Sequence, residues 1–112
     1  MRKNSLLALM ARLLASTAAS ADPLSCVPGD DFWLGPRSGA AVLTNAALAP
    51  CVHALLDDAH SRLVITYPNG DEAAVRADEL RQWLLALALP AARVVLQQQP
   101  ANTTIELETR ND

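Results

Sequence analysis

The sequence predicts an α+β fold, a two-layer sandwich in which two helices cover one face of a mixed sheet of three or four strands. Residues 62–96 carry most of this prediction. A β-branched run, Arg62–Tyr67, meets a Pro-Asn-Gly-Asp break, a helical pattern follows, and a second apolar run begins at Val94. Strand, helix and strand over about 35 residues form one βαβ unit.

The first 21 residues have the pattern of a secretory signal peptide. Arg2 and Lys3 supply a positive start, an apolar stretch extends to Ala15, and Ala19-Ser20-Ala21 matches a small-x-small cleavage site. We expect cleavage after Ala21 and export to the periplasm of a Gram-negative bacterium. The alternative is an uncleaved N-terminal helix or a short membrane anchor. Because a spanning helix needs about 20 apolar residues, no membrane-spanning segment is expected in the mature chain, residues 22–112.

Removing the signal peptide makes the chain more acidic. The whole sequence has nine Lys+Arg and twelve Asp+Glu, a net charge of −3. Three basic residues and no acidic residue lie in residues 1–21, so the mature chain carries a net charge of about −6. Its six basic residues are dispersed arginines. We therefore expect neither nucleic acid nor an anionic membrane surface as a partner, since both require a basic patch.

Two cysteines, Cys26 and Cys51, occur in the chain. In an exported protein a single pair predicts one disulfide. The alternatives are two separate buried thiols and lipid acylation of Cys26. Neither a metal nor a cofactor is expected, because two cysteines without a second close pair supply too few metal ligands.

Residues 22–43 are predicted to form a loop-rich lead-in to the α+β domain of residues 44–112, because proline and glycine recur through them. Residues 40–43 are predicted to form a short strand. The aromatic segment Phe32-Trp33-Leu34 is expected to pack on the domain near the disulfide, and the alternative is an exposed docking patch.

Two helices are predicted in the domain. The first begins at Ala49 or Pro50, because proline is tolerated only near a first turn, and extends to about His60. The second follows Gly70, with Asp71 as its cap and an apolar face at three- and four-residue spacing. A rival interpretation makes residues 68–71 a hairpin turn and residues 72–75 a strand.

Two strands are predicted after the second helix. Residues 93–98 form the strand that completes the βαβ unit. Residues 103–109 alternate, with Ile105 and Leu107 on one face and Glu106 and Glu108 on the other. This alternation predicts a half-exposed strand at an edge of the sheet, where charges discourage further pairing.

The second helix and the strand after it carry a family pattern. They read Arg76-Ala77-x-x-Leu80-x-x-Trp83-Leu84 and then Leu87-x-Leu89-Pro90-x-x-Arg93-Val94. This pattern resembles the peptidoglycan-binding C-terminal domain of outer membrane protein A, over roughly residues 43–96. The resemblance implies that Arg76, with an aspartate, holds the diaminopimelate of the wall peptide. Asp71 is the residue that could supply the carboxylate, although the binding loop is shorter here and lacks the Asn-x-x-Leu-Ser stretch.

The alternative for Arg76 is a surface arginine paired along the helix with Glu72 or Glu79. His53, Asp57 and His60 are of metal-binding types and fall on one predicted helix face, but uncoupled surface side chains are the expected outcome. No catalytic residues are predicted, because the neighbouring carboxylates of the helices point apart.

From the sequence we therefore expect a small non-enzymatic binding module of the cell envelope with peptidoglycan as its ligand. The alternative is an accessory protein-interaction subunit of a periplasmic secretion or conjugation assembly.

Overall fold

The structure, a computed structural model, describes residues 23–111. The predicted signal peptide and its cleavage site lie outside these residues. In chain order the elements are β1 (Ser25–Cys26), α1 (Asp30–Leu34), α2 (Gly39–Thr44), α3 (Ala49–Asp57), β2 (Arg62–Tyr67), α4 (Asp71–Leu85), β3 (Val94–Gln98) and β4 (Glu106–Arg110), with a 3₁₀ turn at Ala91–Arg93. Over residues 23–111, four helices and a four-stranded mixed sheet confirm the predicted α+β class.

The βαβ unit is formed by β2, α4 and β3. Strands β2 and β3 are parallel, in a register that pairs Leu63 with Val94 and Tyr67 with Gln98. Helix α4 begins at Asp71, so the rival hairpin interpretation is wrong. Gly70, with φ 118° and ψ 149°, occupies the cap position without a side-chain cap, and Asp71 is the first helical residue. Asp71 and Glu72 still favour this end of α4 through the helix dipole.

Strand β4 lies inside the sheet, whose order is β1-β4-β2-β3. The edge position predicted for residues 103–109 is therefore wrong, because the two-residue strand β1 pairs antiparallel with β4 on its outer side. The predicted alternation is confirmed: Ile105 and Leu107 are buried, and Glu106 and Glu108 are partly exposed. A partner as short as β1 has almost no pattern of its own, which explains why sequence periodicity did not reveal it.

Helices α3 and α4 cover the sheet and enclose the core. The largest fully buried side chains come from both layers: Leu48, Val52 and Leu55 around α3, Leu80 and Leu84 in α4, and Leu63, Ile65, Val94 and Leu107 in the sheet. Helix α3 begins at Ala49 with Pro50 in its first turn, as predicted, and ends at Asp57. Within residues 23–111, none of the helices has the length and apolar character needed to cross a bilayer.

The strand predicted at residues 40–43 is wrong, because these residues belong to α2. Ser38 caps this helix by accepting a hydrogen bond from the Ala41 backbone N–H at 3.0 Å. The cap and two alanines favour helix over the β preference of Val42, which is fully buried. The described part of the predicted lead-in, residues 23–43, thus contributes helices as well as loops to the packed structure.

The predicted disulfide is confirmed. Cys26 and Cys51 are bonded, with their Cα atoms 6.2 Å apart. Cys26 ends β1 and Cys51 lies in the first turn of α3. The bond therefore ties the outermost strand and the start of the lead-in to the helical layer.

Candidate functional site

An open cleft of about 520 Å³ lies where β2 ends and α4 begins. Three segments of the chain form its walls. One wall comes from residues 28–33, the second from the β2–α4 turn and the first turns of α4, and the third from residues 103–105 before β4. The segments are distant in sequence, so the cleft exists only in the folded domain.

The β2–α4 turn is held in place from the neighbouring strand. The Gln98 side-chain amide donates to Asn69 Oδ1 at 2.6 Å, and the Gln99 backbone N–H donates to the Tyr67 carbonyl at 2.8 Å. Gly70 then turns the chain into α4 through a backbone conformation that is essentially restricted to glycine. Asp71 and Glu72 are thereby placed in the cleft wall.

The structure brings both predicted ligand-binding residues to this cleft. Asp71 and Arg76 are among its lining residues, and both side chains are exposed. Arg76 also makes the helix pair considered from the sequence: its Nη2 lies 3.0 Å from Glu72 Oε1. The side chains of Arg76 and Glu72 are 46% and 79% exposed, and exposed pairs of this kind contribute only about 0.3–0.5 kcal/mol.

Trp33 is a cleft residue that the sequence did not assign to the site. The guanidinium carbon of Arg76 lies 5.5 Å from the centroid of the Trp33 ring, within the range of a cation–π contact. Phe32 meets the same indole edge to face, with the ring centroids 5.0 Å apart. The aromatic segment is divided: Phe32 is buried, Trp33 lines the cleft, and Leu34 is 85% exposed. The available signal was two adjacent aromatic residues in a segment rich in turn residues.

A second charged group lies beside this wall. Arg37 Nε donates to Glu79 Oε2, and Arg37 Nη1 donates to the Trp33 carbonyl. Glu79 Oε2 also accepts from Trp83 Nε1 at 3.2 Å. The hydrogen bond from Arg37 lowers the pKa of Glu79 below its ordinary value, with further lowering from the Trp83 bond and the charges of Arg37 and Arg76, while partial burial acts in the opposite direction.

The remaining candidates do not form a metal site. Helix α3 ends at Asp57, so His60 lies in the following turn and does not continue the helix face of His53. Both histidines are exposed. Over residues 23–111, histidine, cysteine, aspartate and glutamate side chains form no group of three or more that could hold a metal ion.

The charges of the cleft suit a ligand with both signs. Three carboxylates, from Asp30, Asp71 and Glu72, and one guanidinium, from Arg76, line it. Arginine can bind a carboxylate through two parallel hydrogen bonds, and a carboxylate can accept from an ammonium group. The arrangement can thus bind a zwitterionic group such as the end of an amino acid or a short peptide.

Comparison of the chain with protein-family models, with curated proteins and with solved structures finds no match.

Proposed function

We propose that this protein is a small periplasmic, non-enzymatic binding module of the cell envelope, and that its ligand is peptidoglycan. The observation that carries the proposal is the meeting of Arg76, Asp71 and Trp33 in one open cleft. The proposal extends the resemblance of α4 and β3 to the peptidoglycan-binding domain of outer membrane protein A.

The ligand group is the zwitterionic end of a diamino acid in the wall peptide. Its carboxylate binds Arg76 and its ammonium group binds Asp71. A ligand carboxylate takes the place of Glu72 at Arg76, and the weakness of that exposed helix pair makes the exchange inexpensive. The volume of about 520 Å³ lies in the range of small-ligand sites.

Binding fits the character of the cleft better than catalysis does. Catalytic acids and bases depend on water-excluded surroundings that adjust their proton affinity. Asp30, Asp71, Glu72 and Arg76 are all exposed, and the cleft is open to solvent. Reversible recognition of a charged surface polymer requires no more than this.

The periplasmic location is supported by two independent features. Residues 1–21 have the pattern of an export signal. The disulfide between Cys26 and Cys51 belongs to an oxidising compartment, since cytosolic thiols are kept reduced.

Co-sedimentation with purified sacculi tests the proposal. Wild-type protein is expected in the pellet, and Arg76→Ala and Asp71→Asn in the supernatant. Arg110→Ala and Asp78→Asn are the matched controls: each changes the same charge type, and neither residue lines the cleft. Sedimentation that does not depend on Arg76, or no retention of the wild type, refutes peptidoglycan as the ligand.

A protein partner in a secretion or conjugation assembly is the second candidate, and the exposed apolar side chains favour it. Leu34 and Val75 are 85% and 67% exposed, and each adjoins a cleft residue in sequence. Photo-crosslinking in the periplasm from position 34, with exposed position 47 as control, tests this alternative. A discrete protein adduct from position 34 alone, together with no retention on sacculi, favours it over the wall.

A further inference from the structure

The wall of the cleft that carries Trp33 belongs to a very short helix. Helix α1 has five residues, Asp30–Leu34, and Phe32 is its buried side chain. Helices this short are marginal without tertiary contacts. The position of the Trp33 ring, which is only partly buried, therefore depends on what fixes the end of α1.

Arg37 makes the contacts at that end. Its Nη1 donates to the carbonyl of Trp33, one of the last carbonyls of α1, which the helix itself leaves without a partner. Its Nε donates to Glu79 on α4. One guanidinium thus joins the end of the Trp33 wall to the helix that carries Arg76.

The contact between Arg37 and Glu79 lies next to the cleft residue Arg76. Glu79 follows Arg76 by three residues, so the two side chains are neighbours on one face of α4. Glu79 is itself oriented by the hydrogen bond from Trp83. The lowered pKa of Glu79 agrees with a carboxylate that stays charged opposite Arg37.

We infer that Arg37 is a positioning residue for the cleft: by joining the Trp33 carbonyl to Glu79, it holds the Trp33 ring against Arg76 and sets the distance between the two walls. This inference rests on the proposed function only for its consequence on ligand binding. The part that concerns Trp33 and Arg76 stands independently of any ligand.

The chemistry of arginine explains why this residue type is needed. The planar guanidinium presents donors in a fixed fork and reaches two acceptors on different elements at once. A lysine at position 37 keeps the charge opposite Glu79 but offers a single ammonium group. Arg37→Lys is therefore expected to keep part of the geometry, and Arg37→Ala to lose it.

The ring current of Trp33 provides a direct measurement, because protons over an aromatic ring resonate upfield. We expect upfield-shifted Arg76 side-chain protons in the wild type, with nuclear Overhauser effects to the Trp33 ring. In Arg37→Ala the upfield shift should fall to less than half, in Arg37→Lys it should be intermediate, and in the control Arg110→Ala it should be unchanged. An Arg37→Ala protein that retains the full shift overturns the inference. If that variant does not fold, Arg37→Met, which keeps the length of the side chain and removes both of its hydrogen bonds, decides the question in the same way.

Sacculus binding measures the consequence. With Arg76 intact, Arg37→Ala should bind about two- to fivefold more weakly, the loss expected for an exposed cation–π contact. If Arg37→Ala binds sacculi as tightly as the wild type although the upfield shift of its Arg76 protons is lost, Arg37 has no role in binding. Failure of the wild type to bind sacculi removes the proposed function instead, and the ring-current measurement still decides whether Arg37 positions Trp33.

Discussion

Reduction of the Cys26–Cys51 disulfide is the perturbation with the largest expected effect on stability. Both cysteines are buried, with relative exposures of 5% and 0%. They are 25 residues apart, and the loop that they close contains α1 and α2. Reduction removes the restriction that the bond places on the unfolded chain, and it leaves every side chain of the folded core in place.

The size of the effect follows from the loop length. Closing a loop of this size lowers the entropy of the unfolded chain by about 12 cal/mol/K, or roughly 3.5 kcal/mol at 25 °C. A domain of roughly 90 residues unfolds with an entropy of about 0.19 kcal/mol/K. Their ratio predicts that the Tm falls by about 15–20 °C on reduction.

Calorimetry with and without reductant is the assay. Because the sulfurs are buried, the protein should be reduced while unfolded and then refolded, and mass spectrometry of alkylated thiols should confirm the product. The double variant Cys26→Ala/Cys51→Ala is the control, and its Tm should not respond to reductant. A fully reduced wild type whose Tm is within about 3 °C of the oxidised protein refutes the loop-entropy reasoning.

Three further changes have defined outcomes. Arg93→Ala should lower the free energy of unfolding by about 2–3 kcal/mol in urea titrations, because Arg93 donates to the Leu55 carbonyl at 2.7 Å and the Ser61 carbonyl at 2.9 Å. The control Arg110→Ala, which removes a partly exposed side chain paired with Glu108, should cost less than about 1 kcal/mol. Ala88→Gly should raise the free energy of unfolding by about 0.5–1 kcal/mol, because Ala88 has φ 67°, a left-handed conformation that glycine adopts more easily than alanine. The control Ala86→Gly, at φ −64°, should lower the free energy of unfolding, and a lower value in both variants contradicts backbone strain at Ala88. Glu79→Gln should be less stable than the wild type at pH 7, because the charged Glu79 carboxylate, whose pKa is lowered in the fold, stabilises the folded state. The difference in stability should shrink as the pH falls below about 4.5 and the carboxylate becomes protonated. Denaturation curves from pH 7 to pH 3 measure this difference at each pH. In an Arg37→Ala background, the pH dependence of the difference should largely disappear.

The features predictable from the sequence are those governed by local pattern. The β-branched run of β2, the Gly70 break and the apolar spacing of α4 are local patterns, and together with the apolar run of β3 they predict a βαβ unit. The disulfide was predictable because only one pairing of two cysteines exists. Pro50 similarly located the start of α3, since proline is compatible with a first turn.

The features that the sequence did not reveal depend on distant contacts. The pairing of β1 with β4 is supported by a 2.8 Å hydrogen bond from the Leu24 backbone N–H to Thr109 Oγ1, across 85 residues. A two-residue strand has no periodicity from which this pairing could be inferred. Arg93 presents the same difficulty: in the sequence it is one of six arginines dispersed over residues 22–112, and in the structure it donates to the Leu55 carbonyl near the end of α3.

The candidate site combines both kinds of information. Arg76 and Asp71 were selected from a family pattern that spans only residues 43–96. Trp33 precedes that span, and Thr103 and Thr104 follow it, yet all three line the same cleft. Two of the three walls are therefore outside the region of resemblance.

This distribution has a consequence for specificity. If the middle segment supplies the charged pair for a zwitterion, the outer segments supply the shape that selects among zwitterions. Changes at Arg76 should then abolish binding to every ligand of this class, whereas changes at Trp33 or Thr104 should alter the ranking of ligands. The separation follows from physical roles: the charges provide attraction that is shared by all zwitterions, and the walls provide contacts that only a ligand of matching shape can make.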